Sequence, residues 1–229
     1  GEVPVTSARS ISTVVGALRP TFKLSKHEGD AAFVYVVAET VDGSMLQDMI
    51  EGCYFAFQRR LRDIRQASTC DCNACILIPT LDLKFVAHHG QVIRQRIMGR
   101  DELAGGDVIV AHRLLKNSIT EALGFKAYAF YSEACVAAMG LAAPASAGLV
   151  AHAETYEHVG EVAGWVRDLD AAWRDEQERT RTIVTADQAI WTTVDTVGTS
   201  LSTHSPTSNL SDHYEARRAE IQRAIQDTQ

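Results

Sequence analysis

The stretch from Ser44 to Ala67 constrains the fold more than any other. Leu46, Met49, Ile50, Cys53, Phe57, Leu61 and Ile64 recur there at three- and four-residue spacing, which lays one apolar stripe along a long helix. A helix with one apolar face must bury that face against another layer, so the rest of the chain has to supply a sheet or more helices. Ser44 followed by Gln47 predicts a capping box at its start. Arg59, Arg60, Arg62 and Arg65 close it, where cations suit the negative end of the helix dipole. They read as a solvated helix end rather than a nucleic-acid patch.

The segments on either side alternate between hairpins and helices. Ser10 to Leu18 predicts a short helix stopped by Pro20. Phe22 to Leu24 is extended, Lys26 to Asp30 a tight charged turn with Gly29 at its most flexible point, and Ala31 to Val37 a strand rich in aromatic and β-branched residues. Leu81 to His88 and Gln91 to Ile97 alternate as two strands about a His89–Gly90 turn. Leu103 to Ile119 predicts a helix entered through Gly105-Gly106-Asp107, Lys126 to Tyr131 a strand, and Ser132 to Met139 a short helix. Glu154 to Val159 and Val162 to Leu169 predict a strand pair, followed by a charged, exposed helix from Asp170 to Arg181. This order predicts an α+β fold, a ferredoxin-like sandwich with a mostly antiparallel sheet and covering helices.

The domain is expected over residues 1–181. Residues 182–229 read as a Ser/Thr-rich linker with a possible terminal helix. Within 192–211 the large apolar residues are Val194, Val197, Leu201 and Leu210. Ordering such a stretch costs roughly 20 kcal/mol of backbone entropy, more than burying those side chains returns.

Composition narrows the function classes. Lys and Arg number 22 against 29 Asp and Glu, a formal charge of -7 over 229 residues, so no nucleic-acid partner is expected. No apolar run is long enough to span a bilayer, and no basic start precedes an apolar stretch, so neither a membrane partner nor a signal peptide is expected. The five cysteines, an odd number, fit a reducing cytoplasmic setting. Cys53 and Cys135 sit in apolar settings and read as small core residues. Cys70, Cys72 and Cys75 form a C-x-C-x-x-C loop that can offer three thiolates to a structural zinc, with His88 or His89 as a fourth ligand. Reduced thiols in a polar loop, or a redox-sensitive pair, are the alternatives.

Three further pieces carry the chemistry. They are Lys26-His27-Glu28-Gly29-Asp30-Ala31, the run Leu83 to Val92 (LKFVAHHGQV), and the run Gly105 to Leu114 (GGDVIVAHRL). In this order they resemble the class III nucleotide cyclases, the adenylyl and guanylyl cyclase family, over about residues 10–170. The runs EGDA, Cys70 to Cys75, Leu83 to Gly90 and Ala111 to Asn117 are similar, more closely still, to an uncharacterised bacterial family related to those cyclases. The resemblance implies a shared site in a homodimer or a cyclase-like heterodimer, a purine nucleotide as ligand, and Mg²⁺ or Mn²⁺ when a nucleotide is bound. It assigns Lys26 and Glu102 to the purine, Asp30 to metal, and Arg113 to the transferring phosphate as the catalytic residue.

Two departures set the expected activity. The family's ribose-binding Asn is matched by Ile109, which cannot form that hydrogen bond. Its other metal Asp lies on a strand before the first helix, where residues 1–9 hold Glu2 but no Asp, so either that first strand is absent from this chain or altered, or metal binding is degenerate. Positioning and charge neutralisation supply most phosphoryl-transfer catalysis, so the expectation leans towards a degenerate module serving regulation, nucleotide binding or dimerisation. An active purine nucleotide cyclase releasing pyrophosphate and a zinc-stabilised interaction module are the competing readings. Plain structural roles compete residue by residue. Lys26, Glu28 and Asp30 can be read as a solvated hairpin tip, Arg113 as pairing with Glu102 or Glu121, one of His88 and His89 as packed, and His112 as structural.

Overall fold

A computed structural model describes residues 14–19, 21–67, 76, 77, 80–97, 100–141, 144, 145 and 147–182. The Cys70–Cys75 loop, the first nine residues and 192–211 lie outside the described residues. Two units divide the chain, Gly1–Gln177 and Glu178–Gln229, and the elements that build the site belong to the first.

These elements are helix α1 (residues 14–18), strands β1 (Lys23–Glu28) and β2 (Ala31–Tyr35), helix α2 (Gly43–Ala67), strands β3 (Lys84–Ala87), β4 (Ile93–Ile97) and β5 (Arg100–Ala104), helices α3 (Gly106–Leu114) and α4 (Ile119–Leu123), strand β6 (Tyr128–Ser132), helix α5 (Glu133–Met139), and strands β7 (Val150–Tyr156) and β8 (Gly160–Asp168). Helix α6 occupies residues 169–182. This is the expected α+β class, with mostly antiparallel pairing.

The main sheet runs β3-β6-β8-β7, and β1-β2 and β4-β5 form separate hairpins. Strand β6 is fully buried because it lies inside the sheet and is covered on both faces. Alternation sorts its side chains. Ala129 and Tyr131 enter one core with Leu46, Ile50, Tyr54, Phe57 and Leu61 of α2. Tyr128 and Phe130 enter a second core with Leu114 and Ile119 from α3 and α4. Sheet neighbours follow the same rule: Phe85 and Trp165 join the first core, Val86 and Val166 the second. The apolar stripe of α2 therefore meets a sheet face, as its periodicity requires. Gly164 of β8 allows a close approach, since a Cβ there would overlap the Tyr131 carbonyl and the Phe130 ring.

Several expectations need correction. The cap of α2 is Asp42, whose Oδ1 accepts from Met45 N at 2.8 Å and Ser44 Oγ at 2.7 Å, so Ser44 donates instead of opening a capping box. Strands β3 and β4 do not pair: β3 runs parallel to β6, and β4 pairs with β5. The helix expected over 103–119 is three pieces. Leu103 and Ala104 belong to β5, and Gly105 turns the chain at φ 139°, a conformation glycine adopts readily. Asn117 then takes over the backbone between α3 and α4. Its Nδ2 donates to Leu114 O at 2.7 Å and its Oδ1 accepts from Ile119 N at 3.1 Å. Helix α6 is not exposed all round: Leu169 and Ala172 are buried, and Trp173 packs on the first core.

Candidate functional site

The three sequence motifs meet along α3, the H-x-G turn at its first turn through Asp107 and the β1-β2 hairpin at its last turn through His112. The β1-β2 hairpin tightens at Gly29, φ 62°, and leaves Asp30 exposed in the turn. Lys26 and Glu28 are two residues apart on β1, so they share a face. Lys26 Nζ meets Glu28 Oε1 at 2.6 Å. The other carboxylate oxygen of Glu28 meets His112 Nδ1 of α3 at 3.1 Å, and the His112 ring lies 5.0 Å from that of Phe33 on β2. His112 thus ties the hairpin to α3. Its Nε2 and the Oγ of Ser25, at the β1 irregularity between Leu24 and Lys26, are buried without hydrogen-bond partners among the described residues. The Lys26 hydrogen bond leads the lowering of the Glu28 carboxyl below its ordinary range; slight burial opposes it, and the charges of His112 and Lys26 add to it.

A second clamp fixes the start of α3. Asp107 Oδ2 accepts from Gln91 N at 2.7 Å, and Oδ1 lies 3.3 Å from His88 Nε2. His88 Nδ1 is 2.8 Å from Ser132 Oγ, and that oxygen also accepts from Cys135 N at 3.2 Å to cap α5. The network assigns the hydroxyl proton to His88 Nδ1 and the ring proton to Nε2, which faces Asp107. This Ser-His-Asp series is a fastening, not a nucleophilic triad, because Ser132 is 1% exposed and occupied as a helix cap. Gly90 belongs to the same clamp: a Cβ there would overlap Asp107. Of the two neighbouring histidines, His88 is the more deeply involved, with a side chain 10% exposed.

The anticipated residues fall as follows. Lys26, Asp30 and Arg113 lie on two elements joined by the Glu28–His112 contact. Arg113 is exposed and makes no ion pair with Glu102 or Glu121 among the described residues. Glu102 is exposed on β5, opposite Gln95, and β5 contacts β1. Ile109 is 57% exposed on α3. Cys70, Cys72 and Cys75 lie outside the described residues. Among the described residues no three His, Cys, Asp or Glu side chains gather to hold a metal ion. Sequence alone does not single out Glu28, Asp107 or Ser132. For Glu28 the signal is its two-residue spacing from Lys26 on a strand; Ser132 and Asp107 depend on contacts between distant segments.

No helix of the described residues is long and apolar enough to cross a membrane. Among solved structures, the chain is similar to one described as "Structure of a bacterial light-regulated adenylyl cyclase", with a TM-score of 0.46 and 15% identity, over 72% of this chain and 45% of that one. Among curated proteins, it is 37% identical over 112 residues to the "Uncharacterized protein Rv2561/Rv2562" of Mycobacterium tuberculosis (strain ATCC 25618 / H37Rv), a match covering 49% of this chain and 52% of the relative. The chain spans about half the length of that curated relative. The model of the family described as "Protein of unknown function (DUF2652)" matches residues 8–123, and the chain belongs to that family.

Proposed function

We propose that this domain is a cyclase-like module that binds a purine nucleotide without turning it over and acts as a regulatory partner within a dimer. The observation that carries this reading is the 3.1 Å contact between Glu28 and His112. It joins the hairpin bearing Lys26 and Asp30 to the helix bearing Arg113, the residues assigned by motif resemblance to purine, metal and phosphate. Arg113, exposed and without an ion pair among the described residues, can meet a phosphate through two parallel hydrogen bonds. Two features favour binding over turnover. Ile109 offers the ribose no hydrogen bond, and the Asp107 carboxylate is committed to Gln91 and His88. Val92, Ile93 and Ile109 are large apolar side chains exposed by 47%, 62% and 57%. Such exposed apolar side chains are surface that a second protein chain can cover.

Calorimetric titration with ATP and with GTP, in Mg²⁺, tests the reading. Binding of one of them is expected, weakened about 10- to 100-fold by Arg113→Ala, the worth of a charge-assisted hydrogen bond. No heat with either nucleotide, or unchanged affinity in the variant, sinks the assignment.

A further inference from the structure

The Lys26–Glu28–His112 chain has a regulatory consequence for the site, one that rests on the nucleotide reading. An ammonium that reads a purine edge must have a hydrogen free to donate to a ring acceptor. Glu28 Oε1 stands 2.6 Å from Lys26 Nζ, and Glu28 Oε2 connects that pair to α3 through His112 Nδ1 at 3.1 Å. The two contacts use different oxygens of one carboxylate. His112 therefore holds Glu28 in place while Glu28 holds Lys26, and Phe33 backs the imidazole ring at 5.0 Å.

We propose that Glu28 is an internal competitor for Lys26, an autoinhibitory carboxylate that draws the ammonium away from a ligand's acceptor and so weakens the ligand's hold. Lys26 and Glu28 are 42% and 38% exposed, so solvent screens the pair and its grip is weak. The competition is accordingly a few-fold effect, suited to tuning affinity and not to closing the site.

Glu28→Gln removes the competing charge and keeps the shape of the side chain. A ligand-free readout is acylation of lysine amines by an N-hydroxysuccinimide ester, followed residue by residue by mass spectrometry. Lys23, on the same strand and without an ion pair among the described residues, is the internal reference. The variant should raise the labelling rate of Lys26 relative to Lys23 about two- to threefold, the scale of an exposed ion pair, and raise nucleotide affinity by a similar factor. An unchanged Lys26:Lys23 ratio overturns the masking, whatever the nucleotide does. Faster Lys26 labelling with unchanged affinity in a protein that binds nucleotide overturns the competition. Faster labelling with no nucleotide bound by either protein upholds the masking and removes the nucleotide reading instead.

Discussion

Gly90→Ala tests the clamp that holds the H-x-G turn against α3. The added methyl would overlap the Cβ, Cγ and Oδ2 of Asp107. Because the Asp107 Cβ is among those atoms, rotating the side chain cannot clear the clash, and the first turn of α3 must shift. That shift stretches the Asp107 bonds to Gln91 N, now 2.7 Å, and to His88 Nε2, now 3.3 Å. Losing a hydrogen bond to a charged group costs about 1.5–3 kcal/mol, and overpacking adds about 1–3 kcal/mol. The expected loss is therefore about 2.5–6 kcal/mol, a fall of roughly 5–20 °C in Tm for a domain of this size. Urea denaturation followed by circular dichroism, alongside a thermal melt, measures it. A loss below about 1 kcal/mol would refute the argument, because the clamp would then have room that the geometry denies.

Three other outcomes follow from the same reasoning. Gly52 lies exposed inside α2 with nothing within 4 Å of an added Cβ, so Gly52→Ala should stabilise by about 0.5–1 kcal/mol in the same urea assay. Glu154 is 8% exposed; burial raises its carboxyl pKa, but hydrogen bonds from His152 and from Ser118 N and Oγ outweigh that and leave it below the ordinary 4.5. A depressed folded-state value means stability present above pH 4.5 and lost as pH falls through that lower value, so Glu154→Gln should cost about 1–2 kcal/mol at pH 7 and progressively less on acidification below 4.5, read from urea midpoints against pH. Burial pushes the Cys53 and Cys135 thiols up to about 12 and about 11, so iodoacetamide at pH 8 should modify both in urea-unfolded protein and neither in folded protein, as read by peptide mass spectrometry.

Much of the fold is legible in the sequence because it follows local periodicity. The α2 stripe, the hairpin around Gly29, and the passage from β6 into α5 at Ser132 are written in side-chain spacing and capping chemistry. Arg100–Ala104 is not legible: Glu102, Leu103 and Ala104 are good helix formers, and the segment is a strand because it pairs with Ile93–Ile97. The parallel partnership of β3 with β6 is hidden for a similar reason, since pairing across 40 residues depends on packing, not on either strand alone. At the site, Lys26, Asp30 and Arg113 are marked by motif. Glu28 reads in sequence as part of a solvated tip, although strand alternation already puts it beside Lys26. The link between His88 and Ser132 joins segments whose proximity only the folded sheet creates.

The central claim, binding without turnover, is tested most directly by incubating the purified chain with ATP and with GTP in Mg²⁺ or Mn²⁺ and separating the products by anion-exchange chromatography. Both nucleotides should be recovered unchanged over hours at micromolar protein. Formation of a 3′,5′-cyclic nucleotide with an equal amount of pyrophosphate, abolished by Arg113→Ala, would contradict it.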